Sequence, residues 1–228
     1  MARKTARKSP TRPAPSGAKS DRDRAVDAFM ALLAEKPIEQ IAFTEIAARA
    51  KISLPELRGL FDSKIAILAA HMKEVDRAVL AGGDADMAEE PPRERLFDVL
   101  MRRLEVLADH RAAVRSLSRS AMCNPGLALA LNGLAVRSQQ WMLTAADISA
   151  AGPKGMLRAQ GLALLFAQVL RSWVDDDDDN ARTMAALDRA LARGQRWSGF
   201  LDDVCRIPAC VGRVRRRRRG SEDEAAAA

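Results

Sequence analysis

The stretch from Phe43 to Leu68, FTEIAARAKISLPELRGLFDSKIAIL, limits what this chain can fold into more than any other. Ile46, Ala47 and Ala50 stand at helical spacing, Lys51-Ile52-Ser53 interrupts the pattern, and Leu57, Leu60 and Phe61 open a second apolar face one turn later. Two short helices with so little chain between them must cross steeply, as in a helix-turn-helix. Ser53 with Glu56 three residues on forms an S-x-x-E capping box at the start of the second helix. Pro55 falls in that first turn, where its missing N–H breaks no intrahelical bond.

Helical stripes continue on both sides. Asp21 or Asp23 can cap a first helix, whose Val26, Phe29, Met30 and Leu33 recur at i, i+3, i+4 and i+7 before Pro37 stops it. From Lys64 a fourth helix runs to about Val79 and ends at Gly82-Gly83, and an acidic segment with Pro91-Pro92 follows as a linker. Five more helices are expected: one from Pro92 to about Leu107, a short one over about Ala112 to Met122, and a long one opened by Asn124-Pro125. A fourth is opened by Gly152-Pro153, and the last spans about Asn180 to Val204. Aromatic residues are only 4% and sustained alternation of β-branched residues is lacking, so the expected class is all-α.

Residues Ile46-Ala47, Ala50, Ile52-Ser53, Leu57, Phe61 and Ser63-Lys64 together resemble the DNA-binding domain of the TetR family of one-component repressors, over roughly Asp21 to Val79. The resemblance implies an N-terminal three-helix helix-turn-helix head joined to a C-terminal helical ligand-binding and dimerisation bundle. The expected divisions are a disordered basic arm (1–20), the DNA-binding head (21–80), the bundle (92–206) and a disordered Arg-rich tail (207–228). Thr44, Ser53, Leu54, Pro55, Arg58 and Lys64 occupy the positions expected to meet DNA. The family usually has a small residue, a Thr and a Tyr where this chain has Pro55, Glu56 and Arg58; Arg58 could then take over the Tyr's phosphate contact. The implied partners are a palindromic double-stranded operator, a small apolar effector and a second copy of the chain. Dimerisation is expected through the last two helices, on the stripe of Leu187, Leu191, Trp197, Leu201 and Val204, with no cofactor.

The net charge of +7 is concentrated at the ends. Residues 1–20 carry six basic side chains and no acidic one, and residues 211–228 carry six arginines against Glu222, Asp223 and Glu224. Removing these from totals of 37 basic and 30 acidic leaves 25 against 27. Eight basic and eight acidic residues lie between Asp21 and Lys73, so the attraction to DNA would have to come from the tails. Cys123, Cys205 and Cys210 lack C-x2-C spacing, which argues for a reduced cytoplasmic protein without a zinc site. No apolar h-region follows the basic N-terminus, and the longest apolar run, 161–170, is too short to span a bilayer. Integral membrane association is not expected.

Asp175 to Asp179 could hold a hard cation, but adjacent carboxylates do not converge on one point; a solvated turn whose last Asp caps the final helix fits better. The phrase from Trp173 to Trp197, WVDDDDDNARTMAALDRALARGQRW, is similar to the C-terminal part of a second group, the TetR-fold accessory proteins of coenzyme Q biosynthesis. That similarity implies an alternative: binding of a lipid or quinone intermediate without operator recognition. Trp141, Met142, Met156, Phe166 and Trp173 are the bulky apolar residues placed to line a cavity enclosed by the long helices, whichever ligand enters. G-x-G-x-x-G, P-loop, H-E-x-x-H and G-x-S-x-G motifs are all missing, and His71 and His110 fall on different helices without an evident acid partner, so enzymatic activity finds no support.

Overall fold

The computed structural model describes residues 19–83, 85–176 and 180–194; both charged tails, and with them Trp197, Leu201 and Val204, lie outside the described residues. Helix α1 (Asp21–Glu35) is capped by Ser20, whose hydroxyl accepts from the Asp23 N–H at 3.1 Å while the Asp23 carboxylate accepts from the Ser20 N–H at 3.3 Å. This corrects the expectation of an aspartate cap: a hydroxyl one residue earlier does the capping, and Asp23 supplies the reciprocal half of the box. Helix α2 (Phe43–Ala50) starts at Ala42, which has no side-chain acceptor. Glu45 compensates by accepting from the Ala42 N–H at 2.8 Å, and its other oxygen is held by Lys36 at 2.5 Å.

The turn out of α2 is a Schellman motif. Ile52 N–H reaches the Ala47 carbonyl at 3.1 Å and Lys51 N–H the Ala48 carbonyl at 3.2 Å, with Lys51 in the left-handed region at φ 56°. Helix α3 (Leu54–Leu60) then begins on Ser53, whose hydroxyl accepts from Glu56 N–H at 3.3 Å while Glu56 accepts from Ser53 N–H at 2.7 Å. Helix α4 (Lys64–Ala81) follows after Ser63, which accepts from Ala66 N–H. Phe29, Leu33, Ile41, Ile46, Leu57 and Ile67 fill the centre of this first cluster, so the α1 stripe does lie against the helix-turn-helix.

Beyond α4 come α5 (Pro92–Val106), α6 (Arg111–Cys123), α7 (Pro125–Ala145, capped by Asn124), α8 (Gly152–Trp173) and a helix, α9, over 181–194. Gly152 sits at φ 67°, and a Cβ on Gly155 would fall 2.1 Å from the Ala150 carbonyl carbon, so the α7–α8 connection demands glycine at both places. The described residues form helices and no strand, and the all-α expectation holds. Helix α4 belongs to two cores: Ile67, Leu68 and Ala70 lie in the first, while Val75 and Val79 lie in a second with residues from α5, α7, α8 and α9.

Leu187 and Leu191 are buried in that second core, at 0% and 6% exposure. These two members of the stripe expected to meet a second copy therefore fill the chain's own interior. An amphipathic stripe reports that a face is buried; it is silent on what buries it.

The left-handed lysine generates a first prediction. A non-glycine residue in this region costs about 1 kcal/mol, so Lys51→Gly should raise unfolding stability by about that amount, and Lys51→Ala should not. Denaturant melts of the three proteins check it.

Candidate nucleic-acid interface and ligand region

On the helix-turn-helix, Thr44, Ser53, Leu54, Pro55 and Arg58 are exposed together, as are Phe43 (41%) and Glu56. Glu56 is engaged within the cap, and its carboxyl is held below the usual range first by the Ser53 backbone N–H and then by the Ser53 side chain. It is therefore ionised at neutral pH. Arg58 pairs with Asp62 at 2.5 Å, but both side chains are largely in solvent, and such pairs are worth at most about 1 kcal/mol. Arg58 is accordingly free to exchange Asp62 for a phosphate. Lys64 is placed differently: half-buried, it donates to the Ile38 carbonyl at 2.8 Å and braces the cluster. Gly59 faces open space, with nothing within 4 Å of a built Cβ.

Most other cations of this region are bracing elements as well. Arg24 donates to the Ala50 carbonyl at the end of α2, Arg49 pairs with Glu35 at 2.6 Å, and Arg22 stacks 4.8 Å over the Phe61 ring. These contacts stiffen the scaffold that aims α3.

The five residues expected to line a cavity do not converge. Met142 (0%), Phe166 (5%) and Trp173 (1%) are packed in the second core, whereas Trp141 (57%) and Met156 (52%) are on the outer surface. Trp141 sits one position before Met142, and a rotation of about 100° per residue carries it out of the core face. Two grooves among the described residues lie elsewhere. One, of about 580 Å³, runs between Gln168, Val169 and Ser172 of α8 and residues 186–193. The other, of about 750 Å³, separates the end of α1 and Pro37–Gln40 from α6.

What sequence reading missed is a buried polar network. Asp76 of α4 accepts from Arg103 of α5 at 2.5 Å and from the Ser138 hydroxyl of α7 at 2.6 Å, with all three residues under 9% exposed. Arg103 also stacks over Phe166, at 5.6 Å to the ring centroid. The only sequence signal is a charge at a core position, since Arg103 interrupts the Val99-Leu100-Leu104 stripe.

A second knot holds the α8–α9 junction. Asp176, buried, accepts from both the N–H and the hydroxyl of Thr183 at 2.7 Å and from Arg182 at 2.9 Å. Arg111 lies 4.8 Å over the Trp173 ring and donates to the Asp176 carbonyl, and Arg115 donates to the Val174 carbonyl. Asp176 thus caps the first turn of α9; Asp179, the residue expected to cap it, lies with its two predecessors outside the described residues. Among the described residues no cluster of His, Cys, Asp or Glu could hold a metal, and no helix is long and apolar enough to cross a membrane.

His71 of α4 and His110 meet edge to face, their ring centroids 4.6 Å apart. The long separation in sequence hid this pairing. Burial, and then the charge that His110 can carry, push His71 down to about 4 against a smaller opposing pull from Asp27. Its Nε2 is buried without a hydrogen-bond partner.

No protein-family model matches the sequence, and no curated protein does. Solved structures match closely in fold. A TetR transcriptional regulator from Nitrosomonas europaea is 24% identical, with 76% of this chain and 97% of that one covered at a TM-score of 0.60. A TetR transcriptional regulator from Rhodococcus sp. RHA1 is 23% identical, with 76% and 95% covered at 0.54. The chain has the TetR-regulator fold.

The depressed His71 sets a pH window. The unfolded chain takes up a proton near pH 6.5 and the folded chain only near 4, so stability is full above 6.5 and falls as pH drops towards 4. The loss amounts to at most about 3 kcal/mol. Urea melts from pH 7 to 4.5 should show this slope in the native protein and a flatter one in His71→Gln.

Proposed function

We propose that this protein is a TetR-type transcriptional regulator that binds a palindromic operator as a homodimer and is released by a small apolar effector. The observation that carries the reading is the second helix of the helix-turn-helix: its first turn is fully capped from within, yet Leu54, Pro55, Arg58 and Gly59 point outward without intramolecular cover beyond the weak Asp62 pair. A helix held rigidly at its N-terminus and bare on its outer face suits insertion into a major groove. Thr44 and Ser53 offer hydroxyls, and Arg58 a cation, to flanking phosphates.

Two copies are needed to read a palindrome, and the partner face we infer is the outer side of α8. Leu157, Gly161 and Leu164 recur there at i, i+4 and i+7, with Leu157 and Leu164 52% and 56% exposed. Met156, Trp141 of α7 and Met184 of α9 are further exposed apolar residues on these helices. Gly161 would allow a close helix approach. The inferred dimer thus uses the outer face of α8, with Met184 of α9 at its edge, rather than the buried Leu187 and Leu191.

Release follows as a population shift carried by α4, which enters both cores. An effector that favours a different seat for α4 in the second core would change the spacing of the two reading heads, and half-sites about 34 Å apart would no longer fit. The lipid or quinone alternative gains nothing from the structure. Trp173, Asp176 and Thr183, on which that similarity partly rests, hold the α8–α9 junction, a duty either function requires.

Selection from a random duplex library with the full-length protein tests the reading. A palindrome with half-sites one helical turn apart should be enriched; absence of any enriched sequence would overturn operator recognition. In parallel, Leu164→Arg should sediment as a folded monomer with at least tenfold weaker operator binding, because the site is solvent-exposed within one chain and central to the inferred dimer.

A further inference from the structure

We infer that Leu54 reads a thymine in each operator half-site through the 5-methyl group of the base, a deepening that rests on the operator reading above. Recognition helices meet base edges chiefly with their N-terminal residues. Here those residues are Leu54, Pro55 and Glu56. Glu56, tied to the Ser53 N–H at 2.7 Å through one oxygen, only accepts: it cannot donate to a purine N7 and repels phosphate, and its other oxygen suits only a base amino group. Pro55 offers neither an N–H nor a polar side-chain atom. The Ser53 hydroxyl oxygen is engaged with the Glu56 N–H. Arg58, the first cation of the helix, lies a full turn further on and faces Asp62.

The N-terminal end of α3 thus directs few hydrogen-bond donors outward, while Leu54 is 46% exposed and Pro55 exposed beside it. In the major groove, one base group alone matches an apolar side chain: the thymine methyl, which cytosine, guanine and adenine lack. Gly59, with open space before it, removes the bulk that would otherwise hold the helix back from the groove floor. Nearly half of the Leu54 surface is thus available to the DNA.

The probe is the duplex enriched by selection, with each thymine of one half-site replaced in turn by deoxyuridine, which deletes only the methyl. The full-length wild type should lose about fourfold in affinity at one thymine position, the worth of one buried methyl group, and little at the others. Leu54→Ala should bind the thymine duplex more weakly, and its affinity should be indifferent to deoxyuridine at that same position. Leu54→Met, which keeps an apolar reach, should preserve the sensitivity. If the wild type is insensitive to deoxyuridine at every position, or if Leu54→Ala remains as sensitive as the wild type, the inference is overturned while operator binding stands. If no duplex is enriched at all, the regulator reading falls and takes this inference with it.

Discussion

The Asp76–Arg103–Ser138 network is the interaction on which the rest of the structure depends. Helix α4, like α7, lies in one core at its start and in the other at its end. Apolar side chains alone would let such a helix slide by fractions of a turn at modest cost. A buried carboxylate with two donors at 2.5 and 2.6 Å from two other helices does not permit that. Removing one partner would leave a desolvated charge, at a cost of about 3–5 kcal/mol, so the seat of α4 behaves as discrete. That discreteness is what the proposed release mechanism needs, since packed elements respond to ligands by switching between arrangements.

The other end of α4 is fixed with equal economy by the Lys64 bond to the Ile38 carbonyl and the Ser63 cap. The same principle runs through the first cluster, where Lys36, Arg24 and Arg49 satisfy backbone carbonyls or carboxylates on neighbouring elements. Charge spent on stiffness is not available for steering towards DNA. This accounts for a helix-turn-helix with balanced charge and an apolar start to its second helix. Fold and electrostatics are thereby divided between different parts of the chain.

Local signals were legible in the sequence to within a residue or two. Ser53 with Glu56, Asn124-Pro125 and Gly152-Pro153 act within a single helical turn, and each starts a helix where expected. Signals that depend on a partner far along the chain were not. Leu191 belongs to a genuine stripe, but whether it meets α5 to α8 or a second copy is decided by the tertiary fold. Trp141 and Met142 are adjacent and chemically alike, yet one helical step separates surface from core. Arg103 and His71 find their partners 27 and 39 positions away, respectively, so neither pairing could be read from spacing. On the helix-turn-helix, the commitment of Lys64 to bracing and the openness at Gly59 were not legible either.

Hydrogen exchange across α4 in three proteins tests the central claim most directly: wild type, Arg103→Met and the double variant Asp76→Leu with Arg103→Met. If the buried pair seats α4, amides 72–79 should lose about 3–5 kcal/mol of protection in the single variant, and the double variant, with no charge left buried, should regain most of it. Unchanged protection in Arg103→Met, or a double variant no better protected than the single one, would contradict the account.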